Sequence, residues 1–584
     1  MSEKAGSRKG GLKTMPFIIA NEALEKIAAY GLQPNMILYL ITSYNFSAAG
    51  GTNLMFIWGA ISNFLPILGA FLSDSYLGRF LVIAIATPTT LLGLIALWLT
   101  AIIQELRPAA CDPRLGKCSN PNAGQLAFLY MSFILMSIGA GGIRPCSMAF
   151  GADQFNNPKN PNNQRILDSF FNWYYASVGV SLMFAVTIIV YIQNKYKWIV
   201  GFGVPVGLMF VSTIAFFLGS KLYVKIKPNR SLLTGLVQVV VAAWRNRRRE
   251  LMLPEDSDRQ LYYHTKGSKH VVPTNKLSFL NKACMLQNPE KDLNPDGSPT
   301  NPWRLCSVQQ VEVLKSVIEL IPMWSTGIII GVTISQQGFP VLQAATMDRH
   351  LAGDFKIPPG SFGLFGITTL TIWVVLYDRI VVPYLSKNSQ GIGVKARVGT
   401  GLFISCLATA TAALVERKRR TAAIHQGLAD TPKAQVDMSA MWLIPQHCLV
   451  GLGEAFNAIA QIELYYSQFP KSMASIAVAL FTLGLGVANL LGSLIVTIID
   501  TASKRGGKVS WVSTNLNKGH YDYYYWVLTI LSVANFIYFN LIACKFYKCC
   551  EEDKVWDEDE DHEDVGKIEV QKSVDSSSSM YLSA

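Results

Sequence analysis

Charge is what this chain has least of. Asp, Glu, Lys and Arg make up 15% of its 584 residues, while half of the residues are hydrophobic. Ordinary soluble domains carry about a quarter charged residues, so a water-facing surface of this size is excluded. Histidine is rare too, at seven, and the ten cysteines are dispersed without metal-ligand spacing. His447, the one histidine within a candidate membrane span, has no carboxylate or cysteine constellation near it in sequence. An enzyme is therefore not expected, and neither is a metal or other cofactor. The N-terminal MSEKAGSRKGGLK lacks a signal-peptide pattern. The formal net charge of +12 would suit nucleic acid, but the basic residues stand between long apolar segments rather than on one polar domain. They read as topology signals in a lipid bilayer, and no nucleic-acid partner is expected.

What the chain has instead is length of apolar sequence. A spanning helix needs roughly 20 mainly apolar residues. Candidates lie near residues 27–46, 54–73, 79–103, 124–147, 172–193 and 199–221, then near 313–337, 361–385, 396–415, 439–466, 475–500 and 523–546. The expected fold is all-α and polytopic, with about twelve spans in two six-helix halves. The expected divisions are an N-tail over 1–14, a first bundle over 15–221, a linker over 222–311, a second bundle over 312–548 and an acidic tail over 549–584.

Lysine and arginine placement orients the chain. Lys4, Arg8, Lys9 and Lys13 in the N-tail, and Lys225, Lys227, Arg230, Arg245, Arg247, Arg248 and Arg249 in the linker, put both termini in the cytoplasm. The opposite side is not free of charge, for Glu416-Arg417-Lys418-Arg419-Arg420 and Lys504-Arg505 fall there. In this frame Asn45-Phe46-Ser47 is an outward sequon, and Cys111 with Cys118 share a loop where an oxidising side would let them pair. Cys549-Cys550 is a candidate palmitoylation pair. Linker residues SLLTGLVQVVVAAWRNRRRE read as an amphipathic helix with a basic end, suited either to an anionic membrane surface or to a solvated bridge. EEDKVWDEDEDHED and the serine-rich end read as a disordered tail. GAFLSDSYLGR and VVLYDRIVVPYL each set an Asp before an Arg between the second and third spans of a half, a weak internal echo.

Charges inside spans are costly, at least about 2.5–3.5 kcal/mol each at the bilayer centre, and mark functional candidates. NEALEKIAAYGL sets Glu22, Glu25 and Lys26 at i, i+3 and i+4, on one helix face. That face either lines a hydrated cavity or begins the helix among headgroups. In a cavity, burial and a neighbouring cation act on a carboxylate in opposite senses, which lets the cluster exchange protons near working pH. Arg144 ends the Gly-rich SIGAGGIRP, either at the cavity floor facing Glu22 or Glu25, or as a cytoplasmic anchor. Glu463 in QIELYYSQFP is a cavity carboxylate or a helix-end partner of Lys471 or Lys315. Lys315 and Glu319, at i and i+4, are an intrahelical pair or a gating element.

These motifs together resemble the plant nitrate/peptide transporter family, within the proton-coupled oligopeptide transporter (POT/PTR) family of the major facilitator superfamily. The first-helix pattern appears as Glu22, Glu25, Lys26, Tyr30 and Gly31; the superfamily loop motif as Gly69, Asp74, Gly78 and Arg79. GGIRP…FGADQF runs from Gly141 to Phe155, NPWRLC precedes the seventh span, and Glu463, Tyr466 and Pro470 match the tenth. The matches span about Met15 to Cys549.

The resemblance implies a major facilitator fold and proton-coupled import by alternating access. It implies protons and a small anionic or organic substrate as partners, and residence in the plasma membrane. It implies proton coupling at Glu22, Glu25 and Lys26, substrate contacts from Tyr30, Arg144, Thr333 and Glu463, and a loop or gating role for Asp74, Arg79 and Lys315. Low-affinity nitrate import is the first expectation; peptides, plant hormones or glucoside-type metabolites are the alternative. Three departures bear on the cargo. Lys26 stands where many members have arginine. The fifth-helix pattern FYxxINxG becomes Tyr174-Tyr175-Ala-Ser-Val178-Gly179-Val-Ser181. Between His270 and His350 there is no histidine for an anion, and Thr333 falls near that place. Nothing in the sequence fixes an oligomeric state.

Overall fold

The computed structural model describes residues 10–545 except 110–118, 156–162, 227–231, 249–261, 265–271, 287, 296, 388–392, 433 and 469–473. Cys111, Cys118, Arg249, Pro470, Lys471, Cys549, Cys550 and the acidic tail lie outside the described residues. Helices dominate. In chain order they are α1 (Met15–Tyr30), α2 (Gln33–Ser43), α3 (Ala48–Leu72), α4 (Arg79–Ile102), α5 (Ala123–Phe155), α6 (Asn163–Phe184), α7 (Val190–Lys195) and α8 (Trp198–Leu218). After the linker helices α9 (Leu232–Arg245) and α10 (Pro289–Asp292) come α11 (Val308–Ile334), α12 (Gly338–Ala345), α13 (Gly363–Leu376), α14 (Val382–Lys387), α15 (Val394–His425), α16 (Ile444–Gln468), α17 (Ala474–Ser503) and α18 (Tyr521–Tyr538). Four short strands make two small ladders: Met347–Asp348 pairs in parallel with Val436–Ser439, and His350–Ala352 pairs antiparallel with Phe355–Lys356.

Among the described residues, ten helical rods are long and apolar enough to cross a membrane. Two further rods complete the bundle, and each falls short for a physical reason. The first is broken at Gly31 and carries three charges; the tenth, α16, carries Glu454 and Glu463. The first rod also starts earlier than the apolar window 27–46 suggested. It runs from Met15 to Ser43, so Glu22, Glu25 and Lys26 lie within a helix rather than at its entrance.

The break at Gly31 is accommodated by packing. A Cβ there would come within 2.8 Å of Ile189, so glycine permits the approach. Gln193 Nε2 donates to the Gly31 carbonyl at 2.9 Å, which satisfies a backbone group that the bend frees inside lipid, and Asn35 Nδ2 ties the same bend to α7 through the Val190 carbonyl at 3.3 Å. The Gly-rich run of α5 works by the same close approach, with a Cβ on Gly69 falling 2.0 Å from the Gly141 carbonyl oxygen.

The two Asp-before-Arg segments share a local geometry. Ser73–Leu77 and Tyr377–Val381 are both single wide π turns, the first ending α3 and the second joining α13 to α14. The halves meet along α3 against α17 and α2 against α12. Among the described residues the side-chain hydrogen bonds between halves lie on the side away from the N-tail: Asn53 to Thr497 and Ser493, Ala48 N–H to Thr514, and Ser361 to the Val186 carbonyl. On that same side Glu416 and Arg419 are fully buried, paired at 2.7 Å, with Arg419 also donating to Asn517 at 2.8 Å. Two of the charges that spoiled the outward face are therefore neutralised inside the fold. The Asn45 amide is likewise occupied, donating to the Ala109 and Ser119 carbonyls at 3.1 and 3.0 Å.

Candidate functional site

α1 positions the acidic–basic cluster because it packs on α8 and α6 through its polar face. Ser212 donates to Asn21 at 3.0 Å, fixing the rotation of the helix. Glu22, Glu25 and Lys26 are then 1%, 0% and 2% exposed. Lys26 Nζ lies 3.5 Å from Glu22 Oε1. Neither Glu25 oxygen accepts a hydrogen bond among the described residues, and Arg144 Nε is likewise buried without one. The Tyr30 ring sits between the two cations, 5.5 Å from Lys26 Nζ and 5.3 Å from the Arg144 guanidinium carbon, within cation–π range. The fold brings Glu22, Glu25, Lys26 and Tyr30 of α1 together with Arg144 of α5.

Two adjoining chambers lie between the halves, of about 270 and 180 Å³. Tyr30 and Arg144 line the larger with Trp58 and Phe481, while Glu22, Glu25 and Lys26 stand behind them and do not touch it. Thr333 lines the smaller chamber and accepts from Ser405 Oγ at 3.4 Å. Gln446 and His447 line it too, and Gln446 Oε1 and His447 Nε2 are buried without hydrogen-bond partners among the described residues.

Glu463 is elsewhere. Its carboxylate lies 2.6 Å from Arg397 and lines neither chamber. The α16 carboxylate that does line both is Glu454, which sequence reasoning missed. The signal was present: nine residues at about 100° each put Glu454 and Glu463 on opposite faces of one helix. Glycines mark the packed face beside Glu454, where a Cβ on Gly451 would lie 2.1 Å from the Gly366 carbonyl oxygen.

The remaining sites hold the cytoplasm-side ends of helices in the predicted orientation. Arg79 lies 4.0 Å from Asp74, but its stronger partner is Asp153 of FGADQF, whose two oxygens are each 2.7 Å from Nη1. Lys315 does not pair with Glu319. It bonds Glu312 Oε1 at 2.7 Å and the Thr274 carbonyl at 2.7 Å, while Glu319 faces Lys276 at 3.9 Å. The expected intrahelical pair is thus one turn displaced, because the linker docks on α11 and supplies the second partner. No group of three or more metal-capable side chains occurs among the described residues.

A family model described as the POT family matches residues 80–512. The chain belongs to the POT family, among the NRT1/PTR transporters. The Arabidopsis thaliana protein NRT1/PTR family 1.2 is 53% identical over 92% of this chain and 90% of its own length, and family 1.1 from the same plant is 52% identical over 92% and 91%. Among solved structures, an auto-inhibited POT family peptide transporter matches with a TM-score of 0.67 at 18% identity, covering 91% of this chain and 97% of that one. A POT family transporter in complex with 5-aminolevulinic acid matches with 0.59 at 13% identity, covering 92% and 98%. This POT-family chain is a multi-pass membrane transporter with the major facilitator fold, not an enzyme.

Proposed function

We propose that this transporter couples protons to the import of a small anion, nitrate of the low-affinity type first, across the plasma membrane with both termini in the cytoplasm. The observation that carries the reading is the contact of Tyr30 and Arg144 with both the larger chamber and the buried cluster. Fully ionised, two carboxylates (Glu22, Glu25) balance two cations (Lys26, Arg144), a sum of zero. One added proton leaves a net +1, and Arg144 can then neutralise an anion in the chamber. Release of the anion removes the reason for the proton to stay, so the two leave together.

The membrane potential sets the proton count. Moving one anion inward against an inside-negative potential costs about 2.3 kcal/mol per 100 mV. One proton merely cancels that charge. Voltage-driven accumulation needs a second titrating group, and Glu454, facing the same chambers, is placed to be it. Thr333 offers a hydroxyl to the ion in the adjoining smaller chamber. Asp74 and Arg79, with Asp153, brace the loop between α3 and α4 during rocking, and Lys315 fastens the linker to α11.

A second reading keeps the mechanism and changes the cargo to an organic molecule bearing both an acid and an amine, or a hormone- or glucoside-like solute. Two observations favour it: the chambers are much larger than a four-atom ion needs, since liquid water occupies only about 30 Å³ per molecule, and Glu454 lines the same chamber as Arg144. Uptake of nitrate, peptides and hormones in oocytes at acid and neutral pH separates the readings. Nitrate-evoked inward current at acid pH supports the first. Organic uptake that nitrate does not compete with supports the second.

A further inference from the structure

The linker helix α9 has two apolar faces, and the fold uses one. Gly235, Val239, Ala242, Ala243 and Asn246 face inward. Val239, Ala242 and Ala243 pack with Ala283, Cys284 and Met285 of the linker and with Val308, Val311 and Leu314 of α11. Asn246 Nδ2 ties the end down by donating to the Lys282 and Arg304 carbonyls at 2.9 and 3.0 Å. The opposite face shows Val237, Val240 and Trp244 at 54%, 52% and 64% exposure. Their spacing of three and four residues makes one continuous stripe along the helix. Arg248 extends that stripe by a further turn, and Arg245 and Arg247 flank it, all exposed. The Arg247 guanidinium stacks 4.5 Å from the Trp244 ring. No acidic residue occurs between Leu232 and Arg248.

We infer that this outer face of α9 binds anionic phospholipid. Three facts select that occupant. α9 packs beside the first turns of α11, a helix long and apolar enough to cross a membrane, so α9 lies near one end of that span. A Val-Val-Trp stripe is apolar enough to enter the acyl boundary, and tryptophan prefers that boundary. Arg245, Arg247 and Arg248 form no ion pair among the described residues, and each basic residue near an anionic leaflet adds favourable binding. The lipid site would fix the linker, and through Lys315 and Thr274 the start of α11, to the membrane surface.

The test uses the full-length chain in nanodiscs, with Val240→Cys carrying a bimane label and the labelled parent chain giving the background. Doxyl-labelled phosphatidylserine or phosphatidylcholine is added at equal mole fraction. The expected result is quenching by both, at least about twofold stronger with phosphatidylserine, and loss of that preference in the Arg245→Gln/Arg247→Gln/Arg248→Gln background. A label at Leu407→Cys, on the exposed flank of α15, should be quenched equally by both lipids in every variant and reports intact reconstitution. Absence of lipid quenching at position 240, as for a solvated bridge or a face covered by protein, overturns the inference. So does quenching that ignores the headgroup.

Discussion

Two carboxylates on one helix give opposite predictions. Glu463 is 31% exposed and contacts Arg397, which is 8% exposed, at 2.6 Å. Replacing it with Gln removes the charge but keeps the shape, leaving a mostly buried guanidinium without its counter-ion. Removing one partner of a fully buried pair costs about 3–5 kcal/mol; partial exposure of Glu463 reduces this to about 1–3 kcal/mol. Glu454 has no ion pair or hydrogen bond among the described residues while lining both chambers. Glu454→Gln should therefore cost less than about 1 kcal/mol in stability, since no bond is broken. Its effect falls on transport, where loss of one titrating group removes one proton from the cycle. The assay pairs thermal unfolding of each purified variant with uptake in proteoliposomes, normalised to folded protein. Glu463→Gln should unfold several degrees early yet transport normally, and Glu454→Gln should unfold normally yet lose at least about tenfold in proton-driven uptake. The reverse pattern, or equal behaviour of the two, would refute the assignment of Glu454 to the cavity.

Other outcomes follow from the same packing. Arg419→Met should cost about 3–5 kcal/mol, because it leaves Glu416 buried and unpaired, and Glu416→Leu/Arg419→Met should recover most of the loss in thermal unfolding. Burial pushes the Cys284 and Cys306 thiols up to about 12. At pH 8 about one in ten thousand would be thiolate, against about a quarter for a free cysteine, so neither should react with N-ethylmaleimide until the linker is unfolded, as peptide mass mapping will show. Arg79→Lys loses the short bonds to Asp153 and should cost about 1 kcal/mol. Asp153→Asn should cost a similar amount, and the double variant little more than either alone, in a stability cycle.

Much of this site was legible in the chain. Helical spacing alone put Glu22, Glu25 and Lys26 on one face, and the glycines before Arg144 allowed the close helix approach that brings it there. The first span was misplaced at 27–46 because an apolar window stops at charges, whereas a helix facing its own bundle carries them inside, from Met15 onward. The choice of Glu463 over Glu454 followed proximity to tyrosine and proline instead of rotation about the helix. Arg79 with Asp153, and Lys315 with Thr274 of the linker, join residues separated by 74 and 41 positions. Such pairs depend on how helices and linker dock, and no local pattern in a single sequence encodes them.

The decisive measurement is uptake by Glu25→Gln in proteoliposomes under two regimes. With an inward proton gradient the variant should fail to accumulate substrate, because its cluster can no longer gain and lose the proton. With substrate on both sides and no gradient it should still exchange labelled for unlabelled substrate, because Arg144, Tyr30 and the chambers are intact. Gradient-driven accumulation at the parent rate would contradict a proton site buried behind Tyr30.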